Sequence, residues 1–240
     1  MEPEQFQRHF DLARAHWWYV ATNDLFVNLV RRHVSPGEAL LDVGCGTGSI
    51  LSLLPDYECW GVDPSPAALG FCRRRGLSRI VAGDGGSLPF RRGAFAAGLL
   101  LDVLYHEEVR DELALLREVR DVLKPGGHLF LQVPAYEWLR SGHDVKARSA
   151  RRYTAGRVRE MLRQTNFEVI RLSYRVSTLL PLAVIQRKLL RSKDSDMRPM
   201  SPVVNSILGS MASLENRLLD LVDLPFGLSV FAVARKHGSV

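Results

Sequence analysis

Short apolar runs alternate along the chain with amphipathic stretches. Five runs, EALLDVG (38–44), CWGVD (59–63), RIVAG (79–83), AFAAGLLLDV (94–103) and GGHLFLQVP (126–134), are nearly continuous in apolar residues. Runs of this length without strict alternation suit a parallel sheet covered on both faces. Between them the period lengthens. In EEVRDELALLREVRDVLKPGG, Val109, Leu113, Leu116, Val119, Val122 and Leu123 recur at helical spacing, and Lys124-Pro125-Gly126-Gly127 stops the helix. Strands alternating with helices predict an open α/β sheet with right-handed βαβ connections.

After Tyr153 the rhythm continues once, with a helix over TAGRVREMLRQTNF capped by Thr154 and a strand over EVIRLSYRV (168–176). A closing strand, GLSVFAVARK (227–236), follows only after about fifty residues. A connection that long predicts a helical insertion. Its apolar stretches, LLPLAVIQRKLL and VVNSILGSMASLENRLLDLVDL, fit a lid over the site, a dimer face or a lipid-contacting patch, and the lid is the preferred reading. The expected organisation is an N-terminal helical cap (1–37), a core domain (38–175 and 227–240) and the insertion (176–226).

Composition narrows the class. With 240 residues, 46% hydrophobic and 24% charged, the chain can bury a full core. No apolar run in the first twenty residues is long enough for a signal peptide, and none elsewhere would span a bilayer, so a cytoplasmic location is expected. Three cysteines without a C-x-x-C pair argue against a disulfide framework and against a metal site. The net charge of +6 is unevenly placed: residues 140–200 carry 15 Lys and Arg against five Asp and Glu. Such a block either attracts an anionic partner or forms a solvated helix face.

The chemistry concentrates in LLDVGCGTGSI (40–50). A strand ends at Asp42, Gly44, Gly46 and Gly48 follow, and a helix is expected to begin, its N-terminal amides turned toward a ligand. The spacing differs from the G-x-G-x-x-G of a dinucleotide site. Asp42 would also repel a pyrophosphate, whereas it suits an amino group. Cys45, inside this loop, reads as a small space-filler. The second strand ends in GVDPS, where Asp63 can accept hydrogen bonds from ribose hydroxyls. The third ends in AGDGGSLPF, where Asp84 can accept from an adenine amino group.

In order and spacing, LLDVGCGTG, GVDPS, AGDGGSLPF, LLLDVLYHEEV and LKPGGHLFLQVP resemble the motifs of the class I S-adenosylmethionine-dependent methyltransferases, of the ubiquinone/menaquinone-methyltransferase-like group. The resemblance covers residues 38–134. It implies a Rossmann-like sheet of seven strands, mostly parallel, with GLSVFAVARK as the antiparallel last strand and the helical insertion before it. It also implies S-adenosylmethionine as cofactor and S-adenosylhomocysteine as product. Gly44, Gly46 and Gly48, with Asp42 and Cys45, would line the methionine portion, Asp63 with Pro64 would hold the ribose, and Asp84 with Gly85 would face the adenine. Leu101 and Asp102 complete the expected cofactor contacts.

The acceptor is less defined. The Asn/Asp-Pro-Pro-Tyr grip used on amino groups of bases is absent after the fourth strand, and the basic segment lacks interleaved aromatics. A small organic acceptor of hydrophobic or anionic character is therefore expected, with no nucleic acid partner and with O-methylation favoured over C-methylation. A sulfonium donor asks mainly for in-line positioning, plus a base if the acceptor is a hydroxyl. His106 and His143 are the candidate bases. SGHDVKARSARRYT (141–154) resembles a stretch following the fifth strand in bacterial members of the group; there Asp144 would orient His143, Tyr153 would stand with the catalytic residues, and Arg151 and Arg152 would bind a carboxylate or phosphate. Trp17 and Tyr19 on the N-terminal helix, and Tyr105 after the fourth strand, complete the expected acceptor wall. The chain is expected to be a monomer or homodimer, with a transient lipid contact through 176–226. Two other classes stay open, a nicotinamide oxidoreductase of Rossmann type and a cofactor-binding scaffold without turnover.

Overall fold

The computed structural model describes residues 3–185 and 200–238. Two helices open the chain, α1 (Pro3–Leu12) and α2 (Trp17–His33). Strand β1 (Ala39–Val43) is followed by a single 3-10 turn, Leu51–Leu53, and by β2 (Glu58–Asp63). Then come α3 (Pro66–Arg74), β3 (Ile80–Ala82), β4 (Phe95–Leu101), α4 (Glu112–Val122) and β5 (Leu123–Pro134). The remainder holds α5 (Gly142–Lys146), α6 (Ala155–Gln164), β6 (Phe167–Arg175), α7 (Leu180–Val184), α8 (Pro202–Leu219) and β7 (Ser229–Lys236).

All seven strands form one sheet in the order β3-β2-β1-β4-β5-β7-β6. The strands from β3 to β5 pair in parallel, and β7 runs antiparallel to both β5 and β6. The expected mostly parallel sheet with an antiparallel last strand is therefore present. Strand order reverses between β1 and β4, and at such a switch point the connections leave in opposite directions and open a crevice at the carboxyl ends of the strands.

Continuous apolar strands require cover on both faces, and both are covered. On one face Leu41, Leu100, Leu129 and Leu131 pack with Leu115, Leu116 and Val119 of α4 and Met161 and Leu162 of α6. On the other, Leu40, Leu99, Phe130 and Phe231 pack with Phe26, Leu29 and Val30 of α2 and Leu69 and Cys72 of α3. A third cluster joins α2 to the insertion through Trp17, Ala21, Val176, Leu179 and Ala212. Helix α8 is also tied to α2 by Asn205, which accepts from the Trp17 amide at 2.9 Å, and by Asn216, which donates to the Ala21 carbonyl at 2.8 Å.

Caps set the helix starts. Thr154 caps α6 as expected, accepting from the Arg157 amide at 3.3 Å. Helix α4 begins later than the apolar period suggests. Asp111 caps it, accepting from Ala114 N at 2.9 Å, while the preceding residues pair with the 148–149 segment through Glu107 N to Arg148 O and the His106–Ser149 bridge. The helix expected after the glycine loop is only the 3-10 turn, because Pro55 forces Leu54 out of helical conformation and leaves too few residues for an α-helix. Of the insertion, 186–199 lie outside the described residues. Among the described residues no helix is long and apolar enough to cross a membrane.

Candidate active site

Because β1 to β6 run parallel, the ends of their strands bring six separated residues to one edge of the sheet: Asp42, Asp63, Asp84, Asp102, Gln132 and Arg175. The glycine loop follows β1. Gly44 (φ +74°) turns the chain with Val103 so close that a Cβ would meet its Cγ2 at 2.5 Å, whereas Gly46 (φ +52°) faces open space. The loop is braced from behind. Asp63 accepts from the Gly46 amide and from the Ser65 amide, both at 2.9 Å. Asn23 of α2 donates to Ser49 at 2.9 Å, and Arg75 donates to the Thr47 carbonyl at 2.8 Å. Cys45 is buried with its Sγ 3.9 Å from that of Cys72, and that contact together with burial pushes its thiol far up. It fills space inside the loop.

The electrostatics at this edge favour a cationic ligand. Asp42 is 4% exposed, and burial, then the neighbouring charge of Asp63, pushes its carboxyl up to about 7. Burial also raises Asp63, against the two amide hydrogen bonds that lower it. Two acids held above their ordinary range beside an open glycine loop would be relieved by a positive charge. S-adenosylmethionine carries an ammonium and a sulfonium, so these residues fit it. Asp84 is exposed and accepts from Gly86 N at 2.7 Å, and Gly85 sits tight against Leu115, so only its backbone is left to face a ligand. Pro64 follows Asp63 into the cap of α3, and Leu101 ends β4.

Asp102, just past β4, has φ +57°, a left-handed conformation uncommon for a residue with a Cβ. Gln132 holds it there: the Asp102 amide donates to the Gln132 carbonyl at 2.9 Å, and the Gln132 side-chain amide donates to Asp102 Oδ2 at 2.6 Å. Burial pushes Asp102 up to about 6. Around it stand Tyr19 and Tyr105, both pushed up by burial and by the charge of Asp102. Tyr19 Oη and His16 Nε2 are buried without a hydrogen-bond partner among the described residues. His16 caps α2, its Nδ1 accepting from Trp18 N at 3.3 Å, which leaves the proton of the neutral ring on Nε2 as a donor. Trp17 packs in the α2–insertion cluster and lines a cavity of about 490 Å³ with Asn205, Gly209 and Ser213.

The residues expected to do acid–base work are engaged elsewhere. His106 lies past β4, its Nδ1 accepting from Glu108 N at 3.4 Å, so its neutral form also carries the proton on Nε2. Burial lowers its pKa. Asp144 accepts from Arg152 Nε and Nη2 at 2.7 and 3.0 Å and from the Ser141 amide at 2.8 Å, the last closing the start of α5 as in a capping box. Tyr153 is buried, with its hydroxyl 3.0 Å from the Leu104 carbonyl and 2.6 Å from Glu112 Oε1. The His143 side chain lies outside the described residues.

Among the described residues, several arginines of the basic segment are neutralised by acids that lie outside it in sequence. Arg148 pairs with Glu107 and Glu108, Arg151 and Arg157 share Glu112, and Arg171 meets Asp223. Arg152 is 6% exposed and also donates to the Ala135 carbonyl at 2.9 Å. Arg151 donates to the Val109 carbonyl at 2.8 Å. Both arginines thus knit the segment to the sheet edge.

Sequence reasoning passed over Arg175 and Gln132. Arg175 ends β6 at 1% exposure, and its Nη1 donates to Thr22 Oγ1 and to Gln132 Oε1, each at 2.7 Å. For Gln132 the available signal was a polar side chain near the end of the otherwise apolar run HLFLQVP; VIRLSYR, which also holds Arg171 and Ser173, gave none for Arg175.

Sheet order, glycine loop and acids at successive strand ends define the class I, S-adenosylmethionine-dependent methyltransferase fold. Residues 41–131 match the family model described as a methyltransferase domain, which implies S-adenosylmethionine as the cofactor. Among curated proteins the chain is similar to the tRNA (carboxymethyluridine(34)-5-O)-methyltransferases of Xenopus tropicalis, 35% identical over 102 residues, and of Arabidopsis thaliana, 37% over 103. Each match covers 42% of this chain, and only 16% and 25% of those longer proteins. Two solved structures share the fold across nearly the whole chain. One is the methyltransferase bound to the Trm112 activator of Haloferax volcanii (TM-score 0.64, 19% identity, 96% of this chain and 94% of that one). The other is a Thermotoga maritima methyltransferase (TM-score 0.64, 18% identity, 97% and 95%).

These relatives correct the expectation of a small-molecule acceptor with nucleic acid excluded. The missing Pro-Pro-Tyr grip excludes only amino groups of bases, and missing aromatic ladders weaken only single-strand stacking. Neither argument reaches an oxygen on a modified uridine, which is where the relatives named above act.

Proposed function

We propose that the protein is an S-adenosylmethionine-dependent O-methyltransferase whose acceptor is a carboxylate carried on RNA. The observation that carries this reading is that, among the described side chains expected to do acid–base work, Asp144 and Tyr153 are committed to contacts within the protein and His106 Nδ1 is taken by the Glu108 amide. A hydroxyl acceptor needs a base in the transition state, whereas a carboxylate is already ionised at neutral pH and needs none. The names of the tRNA relatives, with a carboxymethyl group as the methylated moiety, support the same chemistry.

In this reading Asp63 would hold the ribose hydroxyls, Asp84 and the Gly85 backbone the adenine, and Asp42 with the 44–48 loop the methionine end. The bound cofactor supplies an electrophilic methyl on a sulfonium. Its transfer to a carboxylate oxygen would form an ester and leave a thioether, the sulfur keeping the electron pair of the broken carbon–sulfur bond. The chain's contribution is then placement: the crevice between β1 and β4 aligns donor and acceptor and keeps water out.

The reading is tested by incubating the protein with methyl-labelled S-adenosylmethionine and tRNA whose uridine bears a 5-carboxymethyl group. The expected product is label in RNA that mild alkali releases as methanol, the signature of an ester. Label that survives alkali, or transfer that is equal to RNA lacking the carboxyl, would overturn it.

A further inference from the structure

Arg175 is a buried guanidinium without a carboxylate inside ion-pair distance among the described residues. Both hydrogen bonds that it makes there leave from Nη1, to Thr22 and Gln132, and Nε is buried with no partner. Its Cζ lies 5.4 Å from the ring centre of Trp18, which covers one face of the group. The charges of Asp102 and of the buried Glu215 both act on it, Asp102 being linked to it through the Gln132 amide and Glu215 accepting from the neighbouring Val176 amide. Burying a cation with an open donor edge is costly unless an anion completes it.

The open edge is the Nε–Nη2 side, the fork that matches a carboxylate with two parallel hydrogen bonds. It occurs at the carboxyl edge of the sheet, where β4, β5 and β6 deliver Asp102, Gln132 and Arg175 together. Tyr19 contributes a second buried donor without a partner, and it and Arg175 both feel the charge of Asp102. The strands concerned lie on the β4–β6 side of the switch point, away from the ribose-facing Asp63 of β2.

We propose that Arg175, with the Tyr19 hydroxyl, is the specificity site that binds the acceptor's carboxylate. This rests on the carboxylate reading above and names the residues that would enforce it. Arg175 is then what separates an acid acceptor from its neutral amide. Thr22, Gln132 and Trp18 act as positioning residues that fix the guanidinium plane.

The test measures binding of 5-carboxymethyluridine and of its neutral amide by calorimetry, with the protein saturated in S-adenosylhomocysteine. Wild type is expected to bind the acid at least tenfold more tightly than the amide. Arg175→Met should abolish that preference, Arg175→Lys should retain part of it, and neither should change S-adenosylhomocysteine affinity. Because Arg175 is buried, Tyr19→Phe serves as the milder variant and should reduce the preference several-fold with an unchanged melting temperature. No acid preference in wild type, or a preference that survives in both Arg175→Met and Tyr19→Phe, would overturn the site. A selective loss of S-adenosylhomocysteine affinity in Arg175→Met would also overturn it, by assigning the guanidinium to the cofactor's own carboxylate. Acid preference without methyl transfer would leave the site standing while the transfer reading fails.

Discussion

At the scale of single residues the cofactor edge is governed by two acids with different surroundings. Asp63 closes the glycine loop through Gly46 N and keeps further lone pairs for a ligand. Asp63→Ala should therefore weaken S-adenosylhomocysteine binding by more than tenfold in calorimetry, and unchanged affinity would show that the loop holds without it. Asp42 has no comparable support and keeps its proton to about pH 7. In the unfolded chain the same carboxyl ionises near 4. Between roughly pH 4 and 7 the native state thus binds more protons than the unfolded one, so this group lowers stability as pH rises through that window. Asp42→Asn removes the effect. Its melting temperature in the ligand-free protein should exceed wild type by a margin that is small at pH 4.5 and largest above pH 7, while cofactor affinity falls. A margin independent of pH would contradict the assignment.

At the scale of elements, the segment after β5 is held by pairings that cross from one element to another. The Arg152–Asp144 pair is buried, with side chains 4% and 2% exposed. Removing one partner strands the other charge, so Arg152→Leu should cost on the order of 3–5 kcal/mol in denaturant unfolding. The double replacement Arg152→Leu with Asp144→Leu should recover much of that loss. Cumulative loss in the double variant would mean that each side chain acts independently. The Thr154 cap is a smaller contribution, and Thr154→Ala should cost about 1 kcal/mol without moving the acceptor preference. These elements show why a basic stretch misleads when read alone. Charge density was visible in SGHDVKARSARRYT, but its neutralisation by Glu107 and Glu112 depends on acids that the fold brings in from just before α4 and from its first residue.

At the scale of the whole molecule, one sheet edge collects residues 42, 63, 84, 102, 132 and 175, with α2 closing over it through Asn23 and Thr22. The insertion packs α8 on α2 and leaves Val203, Ile207, Leu214, Leu218 and Leu221 exposed. Coupling between insertion and site would run through α2. Asn205→Ala, which removes the tie to Trp17 N, is expected to lower thermal stability and to loosen α2 in amide exchange, while the β1–β2 core keeps its protection.

The sequence by itself determined the strands, the glycine loop and its flanking acids, and hence the cofactor. Those features are local, because apolar runs, φ-permissive glycines and acids at strand ends are each written within a few residues. It also determined the cap at Thr154. Helical length after the glycine loop and the start of α4 were decided by Pro55 and by the pairing of 107 with 148, which compete with apolar period. The proposed acceptor side depends on tertiary structure alone. Thr22, Asp102, Gln132 and Arg175 are far apart in the chain, and nothing near Arg175 in sequence distinguishes a solvated arginine from a buried one. Packing three strand ends against α2 takes that guanidinium out of water and leaves its Nε without a partner among the described residues.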